Sequence, residues 1–252
     1  MLDRLREAGF DVATRNHAQA ILAADFADET AELIDALLTM RLDVREIITS
    51  GGGEAPSTQR LRRQLAAMGW RKHNFRIETL LDGRKLGEGT THEIDHVRQA
   101  PNGLLALEIE WNNKDPFFDR DLENFQRLHA QSVISIGIIV TRGASLQRAL
   151  ARIVHDFLAA ARVEQPEDLL MHGVKKRTDR QSGLVDKAVR QGTPFPEAFS
   201  RLFVADKFGM ATTHWAKLME RVARGVGNPC PLLLVGLPDG IVQPYSAASD
   251  EL

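Results

Sequence analysis

Glu108 and Glu110 are the residues of this 252-residue chain whose type and spacing most directly suggest chemistry. They lie in a stretch where Leu105, Leu107, Ile109 and Trp111 alternate with Ala106, Glu108, Glu110 and Asn112. A period of two is that of a β-strand, so both carboxylates leave the same face, opposite the large apolar side chains. Asp95 belongs to the preceding candidate strand, His92 to Arg98, and Pro101-Asn102-Gly103 between the two is a strong turn signal. A hairpin closed at that turn brings Asp95 alongside Glu108 and Glu110. Three carboxylates at one spot repel one another unless a cation lies between them. Hard oxygen ligands favour Mg²⁺, with Mn²⁺ as a substitute. Such an ion bridges a scissile phosphate, helps deprotonate a water and stabilises the leaving oxygen, so the pattern points to phosphodiester hydrolysis. The bland alternative is a solvated acidic face on an ordinary hairpin.

The elements that must carry these residues can be read around them. Asp28 to Met40 has helical periodicity, and a second helix starts near Ser57, with Leu61, Leu65 and Met68 as its buried stripe and Gly69 as its stop. Ser50 to Gly53 breaks the chain between the two. Phe75 to Leu81 alternates as a strand before the Asp82-Gly83 turn. Beyond the acidic strand, Asp119 to Gln131 reads as a helix, and Val133 to Val140 as a central buried strand rich in β-branched residues. Ser145 to Ala161 is a long helix, Thr213 to Arg224 a helix capped by threonine, and Pro231 to Leu237 another apolar strand. The sum is an α/β (mixed α+β) core with helices on both sides of a mixed sheet. No linker divides the chain, so residues 1–252 read as one domain.

Composition sets the surroundings. At 43% hydrophobic and 26% charged residues this is an ordinary globular chain, which excludes disorder and coiled-coil rods. The longest apolar run, Val133 to Val140, is too short to span a bilayer, and the N-terminus has no apolar signal core. A single cysteine, Cys230, excludes an internal disulfide, and the chain reads as cytoplasmic and without a membrane partner. Net charge is −2, but its distribution is uneven: Gln59 to Arg76 carries six Lys/Arg and no acid, Ile77 to Ala130 is net −5, and Met171 to Arg224 is net +6. Basic segments flanking an acidic one suit a protein that holds a polyanion against clustered carboxylates, although solvated helix faces give the same tally.

Two further motifs compete. His92-Glu93-Ile94-Asp95-His96 matches the H-E-x-x-H signature of zinc peptidases, which works only on a helix. Gly87, Gly89 and Pro101 crowd it, and on a strand its histidines stand about 13 Å apart, too far for one zinc. Gly51-Gly52-Gly53 lacks the Lys-Ser/Thr of a phosphate loop.

The Asp-hairpin-Glu-x-Glu arrangement and the stretch around it, THEIDHV…LEIEWNNKDPFFDRDLENFQRLH…ISIGIIVTRG from Thr91 to Arg142, resemble the PD-(D/E)XK nucleases. More specifically they are similar to the restriction endonucleases related to BglII and BamHI. Weaker likeness covers Gly51–Trp70 and Ala211–Gly236. The resemblance implies a five-stranded mixed sheet flanked by helices, with a catalytic core at about 54–161 and a C-terminal part that contributes DNA recognition. It implies a homodimeric Type II enzyme that cuts both strands of a short palindromic site in double-stranded DNA, accompanied by a cognate methyltransferase. By the same likeness Asp95, Glu108 and the Ile109 carbonyl would bind Mg²⁺. Glu110 would stand where lysine is usual, orienting or deprotonating the attacking water. Lys114 could assist electrostatically or be an ordinary loop lysine, and either Glu54 or Glu78 could join the metal shell. Arg142, Thr213, His214 and Lys217 are the candidate DNA contacts, with Lys175, Lys176, Arg177 and Arg180 as phosphate contacts. A zinc peptidase and a non-catalytic DNA-binding protein are the competing functions.

Overall fold

A computed structural model of the chain describes residues 1–49, 54–78, 80–174 and 177–245. The break at Ser50 to Gly53 expected from sequence, and Lys175 and Lys176, lie outside the described residues. Six strands form one mixed sheet: β1 (Asp11–Arg15), β2 (Arg71–Ile77), β3 (Thr90–Ala100), β4 (Gly103–Glu110), β5 (Ile136–Arg142) and β6 (Leu232–Leu237). Their order is β1-β6-β5-β4-β3-β2, with β4, β5 and β6 parallel to one another and the other neighbours antiparallel. The fold class is the one expected, but the sheet has six strands rather than five. The addition is β1, a short edge strand of intermediate burial that carries no strong alternation of its own. It is placed by pairing with β6.

Both faces of the parallel centre are covered, which is why β5 and β6 are buried at every position. On one face Leu105, Leu107, Ile138, Val140 and Val235 pack under α1 (Ala27–Leu38), α2 (Pro56–Ala67) and α4 (Ala144–Ala160). On the other, Ala106, Ile139 and Leu234 pack under α3 (Phe117–Ala130) and α6 (Trp215–Ala223), while α5 (Asp179–Arg190) joins the first layer. Gly137 lets Phe125 of α3 lie flat on the sheet, since a Cβ there would fall 2.4 Å from the ring.

Element boundaries mostly match expectation, with two corrections. The strand expected at Phe75 to Leu81 is instead Arg71–Ile77, because this edge strand is largely exposed and lacks the alternation that a buried face imposes. The threonine cap expected on α6 is absent. His214 occupies the cap position without a side-chain bond, and Thr213 Oγ1 accepts the Asn113 N–H at 3.0 Å instead. Among the described residues no helix is long and apolar enough to cross a membrane.

Candidate active site

The hairpin that carries Asp95 and the two glutamates is built as the turn signal implied. β3 and β4 pair antiparallel from Ala100 opposite Gly103 to His96 opposite Leu107, and there the ladder stops. It stops because β3 is bulged. Arg71 and His73 of β2 oppose Val97 and Ile94, so one extra residue is accommodated at Asp95–His96, opposite Lys72. Bulges re-aim side chains and end pairing. Here the Asp95 N–H, freed from the ladder, points at the Glu108 carboxylate, 3.4 Å from Oε1.

Glu108 and Glu110 share a face as their spacing required, but that face is not solvated. Each residue is only 3% exposed, because the chain turns after Glu110 straight into α3, which closes over them. The helix contributes a third buried acid, Asp121, which is fully enclosed and faces the same Arg120 guanidinium as Glu110. Asn113 Nδ2 donates to Glu110 Oε2 at 2.8 Å, and Arg120 Nη2 stands 3.6 Å from Glu110 Oε1 and 2.7 Å from Asp121 Oδ1. One guanidinium faces three buried carboxyls. Burial first, and then the Asp121 charge, push Glu110 up to about 8. Burial and the charges of Asp121 and Asp95 hold Glu108 well above the usual carboxylate range, and burial raises Asp121 too. Such a site takes up protons, or a cation, to relieve its charge.

Asp95 stands differently. Its carboxylate is more than half exposed, 3.9 Å from Lys72 Nζ, which is itself 2.7 Å from Glu93. It lines a cleft of about 980 Å³, together with His96, Ile109, Trp111, Glu54 and Lys207. The hairpin therefore brings the Asp95 backbone to Glu108 and leaves its side chain at the cleft. Among the described residues no three His, Cys, Asp or Glu side chains are gathered as a ready-made metal cage. The donors nonetheless suit a hard divalent ion: carboxylate oxygens, those of Glu108 and Glu110 buried and that of Asp95 at the cleft with room for water. Of the two further candidates, Glu54 lines the same cleft as Asp95 and pairs with Arg62 at 3.0 Å, whereas Glu78 is tied to Arg76 and Lys85, each at 2.7 Å. Lys114 bridges Thr212 through its backbone, and its side chain is exposed.

The expected DNA contacts fare unevenly. Arg142 is wholly enclosed, with Nη2 donating to Thr212 Oγ1 and the Thr213 carbonyl, and its guanidinium 4.8 Å from the Phe208 ring centroid. Burial, with no carboxylate partner among the described residues, lowers it to about 9. Thr213 and His214 are buried as well, so these three present nothing to a ligand in this conformation. Lys217 is partly exposed and holds Glu220 at 3.2 Å. Arg180 pairs with Asp206 at 2.7 Å, and Arg177 lies over the Phe199 ring.

The zinc-peptidase signature falls on β3, an extended strand, so the one-faced helical pair of histidines does not exist. His92 Nδ1 meets Asn124 at 2.8 Å, and the ring nitrogens of His96 are buried with no hydrogen-bond partner among the described residues. Sequence reasoning missed Asp121 altogether. Its signal was its place in the inward stripe Phe118, Leu122, Phe125, Leu128, three residues after the first and four before the third.

Two comparisons with known proteins bear on the chain. No curated protein matches it. The family model for restriction endonuclease BglII/BglIII matches residues 10–237, which takes in all six strands and every acid of the site. By that match the chain belongs to the BglII/BglIII family of type II restriction endonucleases.

Proposed function

We propose that this endonuclease acts as a homodimer, hydrolysing both strands of a short palindromic site in duplex DNA with Mg²⁺ as its divalent ion. Enzymes of the family generally use divalent metal ions. The observation that carries the reading is a buried glutamate pair on β4, beside the bulge that turns Asp95 into the cleft. Asp95, Glu108 and the Ile109 carbonyl would hold the ion, and Glu54 is the favoured additional ligand from its place in the cleft. When bound, such an ion polarises the scissile phosphate and lowers the pKa of a coordinated water.

The chain's own residues do the rest. Glu110, which burial pushes up to about 8, would take the proton of an attacking water once the ion had drawn it into its charged form. Asn113 fixes the orientation of the Glu110 carboxyl. Arg120, stacked on Phe117 at 4.5 Å, keeps the paired acids from repelling one another without compensation. The exposed Lys72, 2.7 Å from Glu93 and 3.9 Å from Asp95, would offset the Asp95 charge while no ion is bound. We assign residues about 54–161 to catalysis and the C-terminal part to recognition. Lys217 is its accessible candidate contact, while Arg142, Thr213 and His214 would support the recognition surface from within. The cytoplasm and a partner methyltransferase complete the proposal, because a nuclease of this type must spare its host's own DNA.

Asp95→Ala and Glu108→Ala test the site. Each is expected to lower cleavage by at least about 1000-fold, the equivalent of roughly 4 kcal/mol of transition-state stabilisation. Duplex binding in Ca²⁺ should remain. Cleavage at the wild-type rate by either variant would overturn the assignment.

A further inference from the structure

The inward stripe of α3 carries Phe118, Leu122, Phe125 and Leu128, all fully buried, and within it stands an acid, Asp121. An apolar side chain there would pack without the cost of desolvating a carboxylate. Asp121 Oδ1 receives Arg120 Nε at 2.8 Å and Nη2 at 2.7 Å. Oδ2 is buried and has no hydrogen-bond partner among the described residues. The same Arg120 Nη2 stands 2.7 Å from Asp121 Oδ1 and 3.6 Å from Glu110 Oε1, so the two buried carboxyls face each other across one guanidinium and repel unless a proton or a cation relieves them. Serving Arg120 alone is a poor reason for burying an acid, because that guanidinium is 54% exposed and pairs of exposed ions contribute little. Asp121 is wholly enclosed in the stripe that α3 lays on the sheet, so its carboxyl is directed inward and not along the helix surface.

We propose that Asp121 is a positioning residue of the active site: it grips the Glu110 carboxyl from the helix side and holds it beside Glu108. Without it, Glu110 keeps only the Asn113 amide and the more distant Arg120. Strand and helix then jointly fix the group that faces the attacking water, and the site gains a fourth acid that the Asp-hairpin-Glu-x-Glu pattern does not contain. This inference rests on the nuclease reading of the same site.

The test uses the full chain and its Asp121→Asn variant, which keeps the shape, removes a buried charge and should fold. Asp121→Ser repeats the comparison should the Asn variant fail to fold. Four quantities are measured: kcat and KM on unmethylated phage DNA in Mg²⁺, Mn²⁺ affinity by calorimetry without DNA, and thermal stability in EDTA. The expected result is a kcat lowered about 10- to 100-fold, with KM little changed and Mn²⁺ affinity lowered similarly, the usual cost of losing a group that orients a metal site. Stability should stay equal or rise. A merely structural Asp121 gives the opposite: a lower melting temperature, with cleavage per folded molecule and Mn²⁺ affinity unchanged, and that overturns the proposal. A wild-type chain that leaves DNA intact but binds Mn²⁺ refutes the nuclease reading alone, and the Mn²⁺ comparison still decides on Asp121. A wild-type chain that binds no Mn²⁺ refutes both.

Discussion

Glu110→Gln isolates the cost of crowding acids under α3. In the folded chain Glu110 is pushed from its ordinary 4.5 up to about 8, burial being the main cause and Asp121 the next. Between those values the folded state holds a proton that the unfolded chain has released. The folded state therefore binds more protons, and stability falls as pH rises. The Glu110 contribution is fully present below about pH 4.5 and lost by pH 8. At pH 7.5 the three pH units above 4.5 correspond to roughly 4 kcal/mol, an upper bound because neighbouring acids share the proton. Gln imitates the protonated acid: its carbonyl can accept from Asn113 and its amide can donate to Asp121. Glu110→Gln should therefore raise the unfolding free energy at pH 7.5 in EDTA by about 2–4 kcal/mol and change it little at pH 4.5. For a chain of this size that is about 5–15 °C in melting temperature. Urea titrations of both proteins at both pH values measure the difference directly. A variant less stable than wild type at pH 7.5, or an equal gain at both pH values, would refute the reasoning.

Two further outcomes follow from the packing. Arg142→Met keeps most of the side-chain volume and removes a buried cation with no carboxylate partner among the described residues, so its urea midpoint should equal or exceed that of wild type. A fall of more than about 2 kcal/mol would show that the bonds to Thr212 and Thr213 outweigh desolvation. If the same variant binds duplex DNA as wild type does, Arg142 acts only from within. Gly137→Ala should destabilise by about 1–3 kcal/mol in urea, since the new methyl would meet the Phe125 ring at 2.4 Å. No loss there would mean that α3 rides more loosely on the sheet than described.

Much of the fold was legible because the responsible residues act locally. The turn at Pro101-Asn102-Gly103 and the alternation from Leu105 to Trp111 set the hairpin, and the β-branched run ending at Val140 marked the sheet's centre. What escaped depends on distant partners. β1 becomes a strand only by pairing with β6, some 220 residues later, and β2 is an exposed edge without alternation. The acids of the site were legible as residue types but not in their burial, because alternation gives a strand's two faces without saying which layer covers each. Arg142 shows the same limit: a position past a central strand suggests substrate contact, yet Thr212, Thr213 and Phe208 return over it from 70 residues away. The bulge that re-aims Asp95 has no glycine or proline to announce it.

The central claim is that the buried acids beside the Asp95 bulge cut DNA at a defined sequence with a divalent ion. Incubation of the purified protein with unmethylated phage DNA, in Mg²⁺ and in EDTA, tests it most directly. Discrete fragments in Mg²⁺ alone, with identical sequence at every new end, are the predicted result. Fragments of random sequence, or fragments formed equally in EDTA, would contradict it.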